Sequence, residues 1–239
     1  MTDKNFLTYN SQFLKWNSKY LTEDQPVIPP TPSYPIDGLL LEWMFESSTN
    51  DTSGQGNHGF TAALDFSTGK VGTYALNFPG GANNYVYFPV NFFETNMASD
   101  KEWTYSMWIK FPVISYAGFM GPSGSASGLW ALMWTTYRWW LTIGSATLDA
   151  PDNCIIPNEW TFLTFGKNST QGWIKTWNAD TSTYNASWNS TGVTPPARGI
   201  LGVASGAGGG NFTVDALRFY NRTLSHSEIL QLWNNGIGI

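Results

Sequence analysis

Paired carboxylates are the residues that could give this chain a hydrolytic activity, because retaining glycosidases use two carboxyl groups about 5 Å apart. Glu42 and Glu46 are four residues apart, so on a strand they would share a face but lie about 13 Å from each other. His58 falls in a glycine-rich stretch and His226 at the start of a predicted helix, where neither suits a serine–histidine–aspartate triad. These residues predict a protein that is not an enzyme.

Asp215 is the carboxylate with the most informative surroundings. It has the same strand parity as Leu217 and Phe219, so the pattern predicts a carboxylate on an apolar face. A buried carboxylate must be ion-paired, hydrogen-bonded or bound to a metal. The pattern therefore leaves two interpretations of Asp215, as an acceptor of backbone N–H groups or as a metal ligand.

Aromatic side chains could bind a sugar, because a ring face stacks on the sugar while neighbouring polar groups bind its hydroxyls. Aromatic residues make up 16% of the chain and include 13 Trp, most of which are expected to fill a core. Trp139 and Trp140 fall on opposite faces of one predicted strand, so one lies outside the core unless both faces are covered. Trp177, Tyr184 and Trp188 lie in a region rich in Asn, Ser and Thr. These five residues are the predicted carbohydrate contacts.

The composition limits the possible partners. The chain has 239 residues, a net charge of −5 and only 12 Lys and Arg, which argues against nucleic acid because phosphates need a basic face. No apolar run approaches the roughly 20 residues that cross a bilayer. The first residues also lack the apolar segment of a secretory signal. We therefore expect neither a nucleic-acid partner nor a membrane partner.

Strands must position most of these residues. Residues 103–111 alternate between apolar and polar side chains, as in a half-buried strand, and residues 160–165 are apolar on both faces, as in a central strand. Residues 129–134 and 137–143 are aromatic segments that predict a hairpin. A Ser-x-x-Glu capping box opens residues 225–236, which predict one short helix over an edge of the sheet. The predicted fold is all-β, an antiparallel sandwich with one short C-terminal helix.

The N-terminal residues form a separate pattern. Residues 6–21 contain a seven-residue repeat in which an aromatic-Leu-x-aromatic segment is followed twice by Asn-Ser, and a final Tyr-Leu closes the stretch. Asn-Ser between short strands suits a tight turn, which predicts a three-stranded ribbon that must lie against a partner or its own body domain. Its predicted docking residues are Phe6, Tyr9, Phe13, Trp16 and Tyr20.

A proline-rich segment follows this ribbon. Residues 25–36 hold five of the 13 prolines, which predicts an extended, semi-rigid spacer. The predicted organisation is thus an arm over residues 1–24, a linker over 25–36 and a body over 37–239.

Short blocks in the body follow one another in a recognisable order. They are LLEWMF at 40–45, DTSGQGNHG at 51–59, YALNFPGG at 74–81, YVYFP at 85–89, WTYSMWIK at 103–110, NEWTF at 158–162 and FTVDALRFYNRTLS at 212–225. Residues 39–236 thereby resemble the laminin-G-like domains of the concanavalin A-like lectin/glucanase superfamily. The resemblance implies a jelly-roll β-sandwich of two antiparallel sheets.

The same resemblance implies a calcium site. In laminin-G-like relatives a calcium ion often lies near the turn that corresponds to residues 51–59 and near the aspartate that corresponds to Asp215. Asp51 and Asp215 are therefore the predicted metal ligands, and calcium is the expected cofactor. In the alternative without a metal, Asp215 accepts N–H groups from the turn at 51–59.

Two functions fit these observations. The first is a non-enzymatic structural or adhesion protein of a virion, because the arm resembles segments of phage fibre and decoration proteins. The arm would dock on the capsid or tail after assembly in the host cytoplasm, and the lectin-like body would contact surface glycans, proteins or further copies of itself. The alternative is a free carbohydrate-binding lectin module of a bacterial surface or exported protein.

Overall fold

A computed structural model describes residues 8–9, 12–13, 34–61, 65–80, 84–98, 100–113, 117–122, 130–133, 139–143, 146–149, 154–169, 171–177, 183–189, 198–202 and 209–239. The chain divides into two compact units, Met1–Pro32 and Ser33–Ile239. No helix among these described residues is long and apolar enough to cross a membrane.

The first unit contains an antiparallel hairpin. Strands β1 (Thr8–Tyr9) and β2 (Gln12–Phe13) flank Asn10-Ser11, with Tyr9 opposite Gln12. This pairing confirms the hairpin predicted from the Asn-Ser segment. The third strand of the predicted ribbon lies outside the described residues, as do Phe6, Trp16 and Tyr20.

The second unit is a sandwich of two antiparallel sheets, which confirms the predicted fold class. The strands of this unit are β3 (Leu39–Trp43), β4 (Asp65–Thr68), β5 (Tyr74–Pro79), β6 (Val86–Tyr87), β7 (Trp103–Lys110), β8 (Ala117–Pro122), β9 (Trp130–Met133), β10 (Trp139–Ile143), β11 (Ala146–Asp149), β12 (Trp160–Lys167), β13 (Gln171–Trp177), β14 (Thr183–Asn189), β15 (Gly199–Leu201) and β16 (Asn211–Tyr220). The smaller sheet has six strands in the order β11-β10-β9-β8-β15-β6. The larger sheet has eight, in the order β14-β13-β12-β7-β16-β5-β4, and β3 also pairs with β16.

The core lies between the two sheets. Trp103, Tyr105, Met107 and Ile109 of β7 are fully buried in it, as their shared parity predicts. The other face of β7 was expected to be open to solvent, yet Ser106 is fully buried as well. The reason is that other parts of the chain cover the outer face of the larger sheet.

Part of that cover is the predicted C-terminal helix, α2 (His226–Trp233). Its capping box is formed, since the Ser225 hydroxyl accepts from the Glu228 N–H and the Glu228 carboxylate accepts from the Ser225 N–H. Ile229 and Leu232 pack in a cluster on the outer face of the larger sheet, rather than over an edge. Asn234, in the left-handed conformation, ends the helix.

Two further features were not predicted. A short helix α1 (Phe92–Asn96) buries its two phenylalanines in the core. Strand β16 contains a bulge at Asp215 and Ala216, where its register with β7 shifts and Ala216 has φ of 47°. The bulge divides β16, so that its first half pairs with β5 and its second half with β3.

Candidate functional site

An aromatic row lies on the outer face of the smaller sheet, at β6. Val86 points into the core, so the neighbouring position Tyr87 belongs to the opposite face. Tyr87 pairs with Ile200 of β15 on one side. On the other side it pairs with Phe60, whose N–H donates to the Tyr87 carbonyl at 3.0 Å while the Tyr87 N–H donates back at 2.7 Å. Phe60 is 65% exposed, so this row presents a ring to solvent.

Two more side chains extend the row. Tyr85 has the same parity as Tyr87, and the two rings meet edge to face with centroids 4.8 Å apart. The Arg198 guanidinium carbon lies 4.0 Å from the centroid of the Tyr87 ring. A hydrogen bond with Tyr87 raises the pKa of Tyr85 above its ordinary value. The two tyrosine rings therefore lie in contact, next to a cation.

A small pocket adjoins Tyr85. Its cavity volume is about 80 Å³, and its lining comprises Asp65, Leu76, Asn77, Phe78, Asn84, Tyr85 and Val86. The Asn77 amide donates to the Asp65 carboxylate at 2.7 Å, and the Asn84 amide donates to the Gly80 carbonyl at 2.6 Å. Polar groups thus stand directly beside the aromatic row. We call the whole arrangement the tyrosine site, made of Phe60, Asp65, Asn77, Asn84, Tyr85, Tyr87 and Arg198.

The tyrosine site contains the types of side chain that bind sugars. Exposed aromatic faces stack on the C–H groups of a sugar, while amides and carboxylates bind its hydroxyls.

The turn at residues 51–59 positions Phe60. The Asp51 carboxylate accepts N–H groups from Glu42 at 2.8 Å, from Ser53 at 3.0 Å and from Asn57 at 2.8 Å, and the Ser53 hydroxyl at 2.9 Å. Partial burial raises the pKa of Asp51, but these hydrogen bonds together lower it below the ordinary value. A methyl group at Gly59 would lie 2.7 Å from Val86, so only glycine allows the chain to pass this close to β6.

Asp215 holds a different turn. Its carboxylate accepts the N–H groups of Lys70 at 2.7 Å, Val71 at 2.8 Å and Ala216 at 2.7 Å. Burial raises the pKa of Asp215 to about 6, against the opposing effect of these three donors. The expected burial and backbone donors are present, but the donors come from residues 70–71 and not from the turn at 51–59.

The two predicted calcium ligands therefore serve separate hydrogen-bond networks. Both carboxylates already accept N–H donors on each oxygen, whereas calcium needs six to eight oxygen ligands. In the described part of the chain, no group of three or more His, Cys, Asp and Glu is placed to hold a metal ion. This arrangement does not match a calcium site at Asp51 and Asp215, and calcium stays a prediction.

The predicted carbohydrate contacts have different placements. Trp139 is 1% exposed inside the core and Trp177 is 2% exposed beneath α2. A stacking surface needs an exposed ring, so these two side chains are corrected to packing residues. Trp140 lies in β10 opposite Asp149, and Tyr184 and Trp188 lie in β14. The side chains of these three residues fall outside the described part of the chain, so their role stays a prediction.

The docking residues of the arm are not tested by these contacts. Tyr9 and Phe13 lie in the hairpin of the first unit, and the other three fall outside the described residues.

The carboxylates considered for hydrolysis have structural partners. Glu42 is buried and forms an ion pair with Arg218 at 2.8 Å. Glu46 accepts the N–H groups of Thr73 at 2.8 Å and Tyr74 at 3.2 Å.

Sequence reasoning missed the tyrosine site. The alternation of Tyr85, Val86 and Tyr87 was a usable signal for a two-faced strand. Phe60 and Arg198 gave no such signal, because each reaches Tyr87 through pairing between distant segments.

No protein-family model and no curated protein sequence matches the chain. Solved structures do. Domain 4 of AbnA, an extracellular GH43 arabinanase from Geobacillus stearothermophilus determined in complex with arabinotriose, is similar with a TM-score of 0.61 and 16% identity, covering 84% of this chain and 98% of that domain.

Two toxin domains are similar as well. The binding domain of Paraclostridial Mosquitocidal Protein 1 has a TM-score of 0.67 and 15% identity over 84% of this chain. The binding domain of botulinum neurotoxin serotype D has a TM-score of 0.64 and 15% identity over 83% of this chain. This chain spans about half the length of both, 53% and 52%. The shared feature is the fold, an antiparallel β-sandwich of two sheets.

Proposed function

We propose that the second unit is a non-catalytic carbohydrate-binding module whose contact surface is the tyrosine site. The observation that carries the proposal is the row of exposed Phe60 and half-buried Tyr85 and Tyr87, with the amide of Asn84 and the carboxylate of Asp65 beside Tyr85. Rings of this kind supply contact area, and the polar groups fix the orientation of a sugar.

Two further observations support the proposal. The similar arabinanase domain was determined with arabinotriose, and the similar toxin domains are binding domains. The carboxylates Glu42 and Glu46 are taken up by structural contacts, which agrees with a module that binds without hydrolysis.

The test is a binding titration of the full chain against an array of glycans, with arabinotriose as the first probe. Tyr87→Ala removes the central ring and is expected to weaken binding at least tenfold. Tyr74→Ala is the control, because Tyr74 is an exposed tyrosine that lies outside the tyrosine site. Equal affinities of the two variants, or no binding of any glycan by the wild type, would overturn the proposal.

Calcium is tested separately, by thermal unfolding. If calcium binds at Asp51 and Asp215, adding it after EDTA treatment raises the unfolding temperature and Asp51→Asn removes that rise. If neither EDTA nor calcium changes the unfolding temperature, calcium is excluded as a cofactor at Asp51 and Asp215.

For the whole chain we propose display on a virus particle, with the first unit as the docking arm. Its support is the separate N-terminal unit with a hairpin of Tyr9 and Phe13 and the resemblance of the arm to segments of phage fibre and decoration proteins. The alternative is a free lectin module at a bacterial surface or secreted from the cell.

Co-sedimentation with purified phage particles separates these possibilities. The full chain is expected to co-sediment, whereas a folded chain shortened to Ser33–Ile239 stays in solution. Failure of the full chain to co-sediment favours the free lectin.

A further inference from the structure

Arg198 differs from the other described arginines in its partners. Arg218 pairs with Glu42 at 2.8 Å, and Arg222 pairs with Glu228 at 2.6 Å and with Asp37 at 3.1 Å. Arg198 is half-buried, and its Nε is shielded from solvent without a hydrogen-bond partner. Within the described residues, no carboxylate forms an ion pair with it. The tyrosine site therefore contains a positive charge that the described chain does not neutralise.

The position of this charge is fixed. The guanidinium lies 4.0 Å from the Tyr87 ring centroid, and stacking on a ring holds its planar group in one orientation. A guanidinium keeps its charge at any physiological pH and matches a carboxylate with two parallel hydrogen bonds. Such a group beside a sugar-sized surface selects for an anion.

The site also contains an acidic side chain. Asp65 lines the pocket beside Tyr85, where its carboxylate accepts from the Asn77 amide. An anion is repelled from Asp65 and attracted to Arg198, so a ligand with one acidic group has one favoured orientation. We expect its acidic group at Arg198 and its hydroxyls near Asp65 and Asn84.

We propose that the tyrosine site binds a carboxylated glycan. The Arg198 guanidinium would bind the sugar carboxylate while it stays stacked on the Tyr87 ring. This inference rests on the proposed function and names the ligand class of the same site. A uronic acid and a sialic acid share the required group, so the experiment includes both.

The experiment measures dissociation constants for two matched pairs of probes with the full chain. Tri-galacturonic acid is compared with its methyl ester, and 3′-sialyllactose is compared with lactose. The wild type is expected to bind at least one acidic probe tenfold or more tightly than its neutral counterpart. The pair that shows this preference identifies the type of sugar acid.

Arg198→Gln removes the charge and is expected to bring the ratio of acidic to neutral affinity close to one. Arg198→Lys keeps the charge but loses the planar group, so it keeps only part of the preference. Lys101→Gln is the control, because Lys101 is an exposed cation outside the tyrosine site, and its ratio stays that of the wild type. Circular dichroism and the unfolding temperature of each variant show that the fold is retained.

The outcomes separate the two proposals. If the wild type binds neutral and acidic probes equally, or if Arg198→Gln keeps the wild-type ratio, the inference about Arg198 is wrong while the carbohydrate-binding function stands. If no probe and no glycan of the array binds, the proposed function fails and the inference fails with it.

Discussion

The outer faces of the two sheets are built from the same kinds of residue but have different surroundings. On the larger sheet, Trp108, Phe162 and Trp177 lie side by side across three strands, and Lys70 lies 4.7 Å from the Trp108 ring. On the smaller sheet, Tyr87 has the same combination of an aromatic row and a stacked cation.

The difference is the cover. Ile229 and Leu232 of α2 pack on the larger sheet, together with Val71 from the turn that Asp215 holds. Phe60 on the smaller sheet stays exposed. Among the described residues, the aromatic row of the larger sheet is covered and Phe60 is not, so aromatic content alone does not distinguish an open face from a packed one.

The mutation with the largest expected effect at neutral pH removes part of the helix packing that covers the larger sheet. Leu232→Ala deletes a fully buried side chain and is expected to lower the free energy of unfolding by about 3 kcal/mol. Leu230→Ala in the same helix is the matched control, since Leu230 is 37% exposed and its loss is expected to stay within about 0.5 kcal/mol. Urea unfolding measures both, and equal losses would contradict the covering role of α2.

The second test addresses the turn that helps to cover Trp108. Asp215→Asn leaves one acceptor oxygen for three backbone N–H donors, so we expect a loss of about 2 kcal/mol.

The contribution of Asp215 to the free energy of unfolding also depends on pH. Burial raises the pKa of Asp215 from 3.8 to about 6 in the folded protein, so the folded state holds a proton that the unfolded state releases. The resulting stabilisation is complete below pH about 4 and is lost as the pH rises through about 6. The stability deficit of Asp215→Asn, followed by urea unfolding from pH 4 to 8, should be about 2 kcal/mol at pH 8 and up to about 3 kcal/mol larger at pH 4. A constant difference would show that Asp215 does not titrate in this range.

The third test concerns the open face. Phe60→Ala is expected to change the free energy of unfolding by less than about 0.5 kcal/mol, because the ring is exposed. Its effect should fall on binding instead, as a tenfold loss of glycan affinity, or about 1.4 kcal/mol. A variant that loses stability but keeps affinity would place Phe60 among the packing residues and remove the contrast between the faces.

The smallest expected effect lies at the start of α2. The Arg222 guanidinium donates to Glu228 and lowers the pKa of that carboxyl to about 2. Both side chains are partly exposed, at 27% and 24%, so after solvent screening Glu228→Gln should cost about 1 kcal/mol at neutral pH.

Acid unfolding checks the sign of this contribution. A lowered pKa stabilises the fold above pH about 4.5 and loses that effect as the pH falls through about 2. The deficit of Glu228→Gln should therefore disappear in strong acid. A deficit that persists at pH 2 would assign it to the lost capping geometry instead of the charge.

The sequence was sufficient for features that depend on near neighbours. The alternation in β7, the capping box at Ser225 and Glu228 and the first hairpin were all predicted because each is set by residues a few positions apart. The burial of Asp215 followed from its parity with Leu217 and Phe219 in the same way.

The sequence was not sufficient where contacts with a distant segment determine the burial or the partners of a side chain. Parity placed Trp139 and Trp140 on opposite faces but could not say which face the other sheet covers. Asp215 takes its donors from residues 144 and 145 positions away, and no local pattern encodes that choice. Arg198 reaches the tyrosine site through strand pairing alone, so its role became visible only in the folded chain.

The bulged strand β16 also has a consequence for the order of folding. Its second half pairs with β3, and the ion pair between Glu42 and Arg218 joins residues 176 positions apart. Pairings of such long range close large loops and are slow to form. During synthesis on the ribosome, β3 cannot pair with β16 until most of the chain has been synthesised. The larger sheet thus completes its centre last, and its early strands need protection from aggregation until then.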